Sequence, residues 1–114
     1  MELLPEAKIK RLTVPILTII RVYRDLCEEH LVEGCITGGW DNPAYPKGGV
    51  HDDGRALDLR SYIFNDPNAI AAELQSRLRL IDDGFGVLYH DAGSGMHFHC
   101  QWMPPGYTNH LGGE

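Results

Sequence analysis

A chain of 114 residues and 12.8 kDa has room for one hydrophobic core, and so for one domain. Its 43% apolar and 23% charged residues are the proportions of a folded globular protein and exclude a disordered chain. Ten Lys and Arg against sixteen Asp and Glu leave a net charge of −6, the wrong sign for a nucleic-acid binder.

The most apolar stretch, Leu12 to Val22, is interrupted by Arg21. It falls short of the about 20 apolar residues that a membrane span requires. Lys8, Lys10 and Arg11 ahead of it imitate the start of a signal peptide. Glu2 and Glu6 precede them, however, and no small-residue cleavage site follows. The segment is therefore read as part of the folded domain, and no export signal is expected. Thr13-Val14-Pro15 suits a helix start, with Thr as cap and Pro in the first turn. Ile16, Ile20, Tyr23, Cys27 and Leu31 then recur at steps of three and four, which predicts an amphipathic helix ending near Gly34.

Cys35-Ile36-Thr37 predicts a short strand leading into Gly38-Gly39-Trp40, and residues 41–49, with two prolines and two glycines, predict a loop. Residues 55–60 alternate, with Leu57 and Leu59 on one face and Ala56 and Asp58 on the other, as in a half-buried strand. Asn65-Asp66-Pro67 begins a second helix, in which Ile70, Leu74, Leu78 and Ile81 share a face. Asp82-Asp83-Gly84 is a turn. Residues 85–90 and 96–102 predict two strands joined by a hairpin loop at 91–95. On the returning strand Met96, Phe98, Cys100 and Trp102 share one face, and His97, His99 and Gln101 the other. Residues 103–114 predict a loosely attached tail. The expected architecture is a single α+β domain over 1–114, a small mainly antiparallel sheet with two principal helices.

Cys27, Cys35 and Cys100 are odd in number and form no CxxC pair, so neither a disulfide framework nor a cysteine zinc ribbon is expected. All three are predicted to be small core residues. The histidines carry more. His51 ends a loop, Gly54 permits a turn, and Asp58 projects from a strand where Ala56 leaves space beside it. His97 and His99, two apart, share a strand face with Cα atoms about 6.8 Å apart. His51, Asp58 and one of that pair would give zinc three N and O ligands and leave a fourth position for water. The alternative is a polar cluster without metal. His30 lies near the end of the first helix, where an imidazolium suits the helix dipole. His90, on the opposite face of its strand from Asp91, is expected to be solvated, and His110 belongs to the tail.

Gly49-Val50-His51-Asp52-Asp53-Gly54-Arg55-Ala56-Leu57-Asp58 resembles the SxHxxGxAxD motif of the zinc D-alanyl-D-alanine carboxypeptidase and L-alanyl-D-glutamate endopeptidase family. Met96-His97-Phe98-His99 resembles its closing ligand motif. The hedgehog signalling domain shares that fold and metal site, and local similarity to it is greater still. Ile36-Thr37-Gly38-Gly39-Trp40-Asp41, His51 to Leu59, Asp83-Gly84-Phe85 with Val87-Leu88-Tyr89, and His97-Phe98-His99-Cys100 each resemble a hedgehog stretch, in the same order.

The resemblance implies a hedgehog-like fold with zinc held by His51, Asp58 and His99, and His97 beside the metal-bound water. It implies Asp91 as general base; His97 takes that role if Asp91 faces away. Arg55 is a candidate for steadying a substrate carboxylate or Asp58, against a plain surface salt bridge. Trp40 and Tyr45 are candidate cleft walls, against core filling. The opening Ser of the motif is Gly49 here, and only Asp41 remains of the hedgehog calcium carboxylates, so calcium is not expected. The implied function is a zinc peptidase cutting D-amino-acid-containing amide bonds in peptidoglycan stem peptides. The competing function is a zinc-stabilised binding module without hydrolysis. Cytoplasmic synthesis followed by action at the bacterial cell wall, with release of the phage-lysin type, is the expectation for location.

Overall fold

The computed structural model describes residues 2–3 (backbone only), 13–39, 55–91 and 95–103. Seven elements follow in chain order: strand β1 Glu2–Leu3, helix α1 Val14–Glu29, strands β2 Cys35–Gly38 and β3 Ala56–Arg60, helix α2 Pro67–Ile81, and strands β4 Phe85–Asp91 and β5 Met96–Trp102. The sheet order is β1-β2-β3-β5-β4. Only β1, which the sequence did not announce, pairs in parallel; every other ladder is antiparallel. The α+β expectation, with a mainly antiparallel sheet and two principal helices, is met.

Both helices begin where capping chemistry places them. Thr13 Oγ1 accepts from the Ile16 N–H at 3.3 Å, and Asp66 Oδ1 accepts from the Ala69 N–H at 3.2 Å. A proline occupies the first turn of each helix, where its missing N–H removes no bond. The end of α1 corrects the sequence expectation. The helix stops at Glu29, with His30 as cap, rather than near Gly34. Leu31 turns into the left-handed region at φ 55°, its N–H donating to the Glu28 carbonyl and the Val32 N–H to the Cys27 carbonyl. This is a Schellman closure made without the usual glycine. It sends Leu31 into solvent at 93% exposure, so Leu31 is not a core residue; Ile81, the last residue of α2, is exposed as well. Gly34 has a packing role instead. A Cβ there would lie 2.8 Å from both Cys27 Sγ and Tyr23 Cε2.

The core lies between the helices and one face of the sheet. From α1 come Ile16, Ile19, Val22, Tyr23, Leu26 and Cys27, and from α2 Ile70, Leu74 and Leu78. They meet Leu57 and Leu59 of β3, Phe85 and Val87 of β4, and Phe98 and Cys100 of β5. Each fully buried aliphatic or aromatic side chain contributes roughly 1.5–3 kcal/mol. Surface ion pairs such as Arg77 with Glu29, at 2.6 Å, are screened by solvent and contribute little. Apolar packing therefore holds the helices on the sheet. Tyr23 pins three segments within that core: its hydroxyl donates to the Arg60 carbonyl and accepts from the Cys35 N–H. On edge strand β4, Gln75 Oε1 accepts from the Val87 N–H and Arg79 Nε donates to the Phe85 carbonyl. Helix α2 thus covers part of an edge that would otherwise invite pairing.

The helices occupy one face of the sheet. The other face carries the polar side chains of β3 and β5.

Candidate metal centre

Strand alternation and register build the site. On β3, Ala56, Asp58 and Arg60 point away from the Leu57 and Leu59 core face. On β5, His97, His99 and Gln101 point away from Phe98 and Cys100. The β3–β5 ladder sets Asp58 opposite His99, Arg60 opposite His97 and Ala56 opposite Gln101. Directly opposed residues share a face, so Asp58 and the two histidines meet there. The hydroxyl of buried Ser61 donates to the Met96 carbonyl at 3.0 Å, tying the end of β3 to the start of β5. Beyond β3, a bulge in β2 sets Ile36 opposite Leu59 yet Gly38 opposite Asp58. The extra residue re-aims the strand. Ile36 joins the core, and Gly38 puts no side chain opposite Asp58.

Three atoms converge on this face. Asp58 Oδ1 lies 3.1 Å from His99 Nδ1 and 3.6 Å from His97 Nε2. The second nitrogen of each ring is held by an oxygen: His99 Nε2 is 2.7 Å from Gln101 Oε1, and His97 Nδ1 is 3.1 Å from the Gly95 carbonyl. Those oxygens are acceptors, so the nitrogens facing them carry the protons. In neutral rings the remaining nitrogens, His99 Nδ1 and His97 Nε2, then turn lone pairs toward a carboxylate oxygen. Such an arrangement calls for a cation or a proton between them. All three side chains are buried: Asp58 and His97 are each 7% exposed and His99 2%. A polar cluster so buried needs mutual pairing to be tolerated.

Asp58 and His99 supply a carboxylate and an imidazole, donor types that zinc accepts. Two ligands about 2.0 Å from a tetrahedral ion stand about 3.3 Å apart. The Nδ1–Oδ1 spacing of 3.1 Å therefore suits a shared ion as well as a hydrogen bond. Gln101 Oε1 behind His99 and the Gly95 carbonyl behind His97 fix the two rings, as outer acceptors do for imidazoles that bind a metal. Among the described residues, no group of three or more His, Cys, Asp or Glu side chains is placed to hold a metal ion. The remaining ligand expected from sequence, His51, lies outside the described residues, as do Trp40 and Tyr45.

Arg55 and Asp91 are placed elsewhere. The Arg55 guanidinium donates to the Trp102 carbonyl at 3.0 Å and contacts Met103 Sδ at 3.1 Å, at the far end of β5 from His97. Met103 is itself held, its N–H donating to the Gly84 carbonyl, so the attached part of the chain reaches at least that far; residues 104–114 lie outside the described set. Asp91 is exposed, pairs with Met96 in the ladder, and accepts the Gly95 N–H through Oδ1 at 3.1 Å. Alternation gives the face of the two histidines to its neighbour His90.

His90 is the residue that the sequence reading assigned to solvent. It is half-buried, opposite His97 in the ladder, with ring centroids 4.8 Å from His97 and 5.9 Å from His99. The signal was present in the register: a hairpin that closes between 91 and 96 must set 90 against 97. Cys100, by contrast, is in the core as expected. Burial first, and the Asp58 charge second, push its thiol well above the ordinary range, which keeps it protonated and unavailable as a ligand.

No protein-family model, curated protein or solved structure matches the chain. Among the described residues no helix is long and apolar enough to cross a membrane.

Proposed function

We propose that the chain is a zinc-dependent peptidase with a hedgehog-like fold, of the D-alanyl-D-alanine carboxypeptidase and L-alanyl-D-glutamate endopeptidase type. Its substrate is a peptidoglycan stem peptide containing D-amino acids, and its place of action is the bacterial cell wall. The observation that supports this most is the convergence of Asp58 Oδ1, His99 Nδ1 and His97 Nε2, with the outer nitrogen of each ring tied to a fixed acceptor. The order of the sequence motifs agrees with it. Asp58 and His99 would hold the metal together with His51. Zinc bound there would supply an acidified water and Lewis-acid polarisation of the scissile carbonyl. His97, its Nδ1–H committed to Gly95, keeps Nε2 for the reacting side, where it accepts a proton from water or donates to the developing oxyanion. With Asp91 Oδ1 engaged by Gly95 on the alternate side of its strand, His97 is assigned the proton transfer ahead of Asp91.

The test is amine release from purified peptidoglycan fragments by zinc-supplemented protein at neutral pH, with loss of release in His99→Ala. Zinc-loaded protein that releases no amine from such fragments overturns the peptidase assignment. One observation favours the second reading, a zinc-stapled binding module. Among the described strand residues, Asp58 is the one carboxylate on this face, so no separate acid stands beside His97 there. Stoichiometric zinc that raises the melting temperature without hydrolysis would establish that module instead.

A further inference from the structure

Strand β4 is the outer strand of the sheet, so one side of its main chain faces no other strand. The register shows which groups lie there. Gly84 accepts from the Met103 N–H, and main-chain direction alternates along a strand, so Gly86, Leu88 and His90 turn their main-chain groups to β5. Phe85, Val87 and Tyr89 turn theirs outward. Helix α2 takes up the first of these: Arg79 Nε donates to the Phe85 carbonyl, and Gln75 Oε1 accepts from the Val87 N–H. The cover stops there. Among the described residues, the Val87 carbonyl and the Tyr89 N–H and carbonyl have no hydrogen-bond partner. They are held in place all the same, because the half-buried Tyr89 ring packs on Phe98, with centroids 5.6 Å apart.

We propose that this uncovered stretch of β4 binds a short extended peptide as an added strand. The peptide offers one N–H to the Val87 carbonyl, a carbonyl to the Tyr89 N–H and another N–H to the Tyr89 carbonyl, the main-chain pairing by which sheet edges recognise peptides. Because the edge is already fixed by its packing, little ordering entropy is lost on its side. A second copy of the chain fits worse. From Val87 to Asp91 the strand is only about 14 Å long, too short to build the about 1,200 Å² that a stable interface buries. Each copy would also bring a net charge of −6. That same charge, with exposed Asp91 at the end of the stretch, selects a neutral or basic peptide over an acidic one. Alternation turns every second side chain of the peptide toward the face of Leu88 and His90. The inference goes beyond the peptidase reading, since it uses no metal and cuts no bond.

The experiment titrates acetyl-Thr-Val-Lys-Val-Thr-amide into isotope-labelled full-length protein followed by nuclear magnetic resonance. The control is the same peptide methylated on the nitrogens of its lysine and the valine after it, which spoils both of its edges. In dilute free protein the Tyr89 amide should exchange with solvent at least about tenfold faster than those of Leu88 and His90. The probe should shift the amides from Val87 to Asp91 saturably and slow exchange at Tyr89. The methylated peptide should bind about tenfold or more weakly, as expected for lost main-chain hydrogen bonds. Tyr89→Pro removes the outward N–H while Leu88 and His90 keep the ladder to β5, and should weaken the probe about fivefold or more. Should that variant fail to fold, the methylated peptide decides on the wild type. A Tyr89 amide as slow as its neighbours, no saturable shift, shifts centred on another element, or equal affinity for the methylated peptide overturns the added-strand site. Protection of Tyr89 that rises with protein concentration alone assigns the edge to a second copy and overturns it too. The probe holds no D-residue and hydrolysis is not the readout, so failure here leaves the peptidase reading standing. A chain that cuts nothing and binds the probe at Tyr89 does the reverse.

Discussion

Gln101 offers the sharpest perturbation of the site, because its side-chain oxygen sits behind His99. Its Oε1 lies 2.7 Å from His99 Nε2, and both residues are buried, at 1% and 2% exposure. Leu is close to Gln in volume but accepts no hydrogen bond. In Gln101→Leu the His99 Nε2–H therefore stays buried without that acceptor. Removing one partner of a buried hydrogen bond costs about 1–3 kcal/mol. That is a substantial share of the about 5–15 kcal/mol that holds a small domain together. The same acceptor orients Nδ1 toward Asp58, and loss of such an outer partner costs about 10–100-fold in metal affinity. Two measurements separate the effects. Urea unfolding in chelator reads the first, with a lower midpoint and an unchanged slope. Zinc competition against a chromophoric chelator reads the second. Gln101→Glu, which keeps an acceptor oxygen, should retain zinc affinity at or above wild type. Wild-type stability together with wild-type zinc affinity in Gln101→Leu would refute the claim that Gln101 sets the tautomer of His99. Loss of zinc by Gln101→Glu would mean that Nε2 accepts from the amide rather than donating to it.

Other consequences are local. Leu31 takes a left-handed φ of 55° and is 93% exposed, so Leu31→Gly loses little contact while relieving a strain of about 1 kcal/mol; thermal melts should show an unchanged or higher midpoint. Gly34→Ala should lower it, because its Cβ would meet Cys27 Sγ and Tyr23 Cε2 at 2.8 Å, and overpacking of this kind costs typically about 1–3 kcal/mol. Stability should also fall in alkali. Burial raises the Cys27, Cys100 and Tyr23 pKa values in the folded protein, so the unfolded chain loses these protons first. Stability is then full below the unfolded thiol value, about pH 8.5, and declines above it, with Tyr23 adding to the decline above about pH 10. Urea midpoints measured through that range should fall with pH, and Cys100→Val should flatten part of the slope.

Much of the fold is visible in the sequence because each element is punctuated by local chemistry. Thr13 and Asp66 cap, Pro15 and Pro67 enter, and the two-residue alternation of β5 separates Phe98 and Cys100 from His97 and His99. What escapes is decided by tertiary contact. Leu31 matches the helical period but lies past a Schellman closure whose usual glycine is missing, so periodicity alone extends the helix too far. The bulge in β2 depends on pairing with β3, and the β1–β2 pair joins residues more than thirty apart; neither leaves a local signal. In the site, Asp58, His97 and His99 were legible as types and spacings. Gln101 was read only as a face residue, since nothing in a lone strand tells that its amide closes on His99. For His90 the alternation of its own strand gives the face, and the register of the hairpin closing between Asp91 and Met96 is what sets it against His97.

The central claim is that Asp58 and His99 share one metal ion. Its most direct test is zinc analysis of the purified full-length protein combined with X-ray absorption at the zinc edge. The account predicts one zinc per chain in a shell of nitrogen and oxygen only, lost in Asp58→Ala and in His99→Ala and retained in Cys100→Ala. Substoichiometric zinc after metal supplementation, a sulfur in the shell, or full retention in both of the first two variants would contradict it.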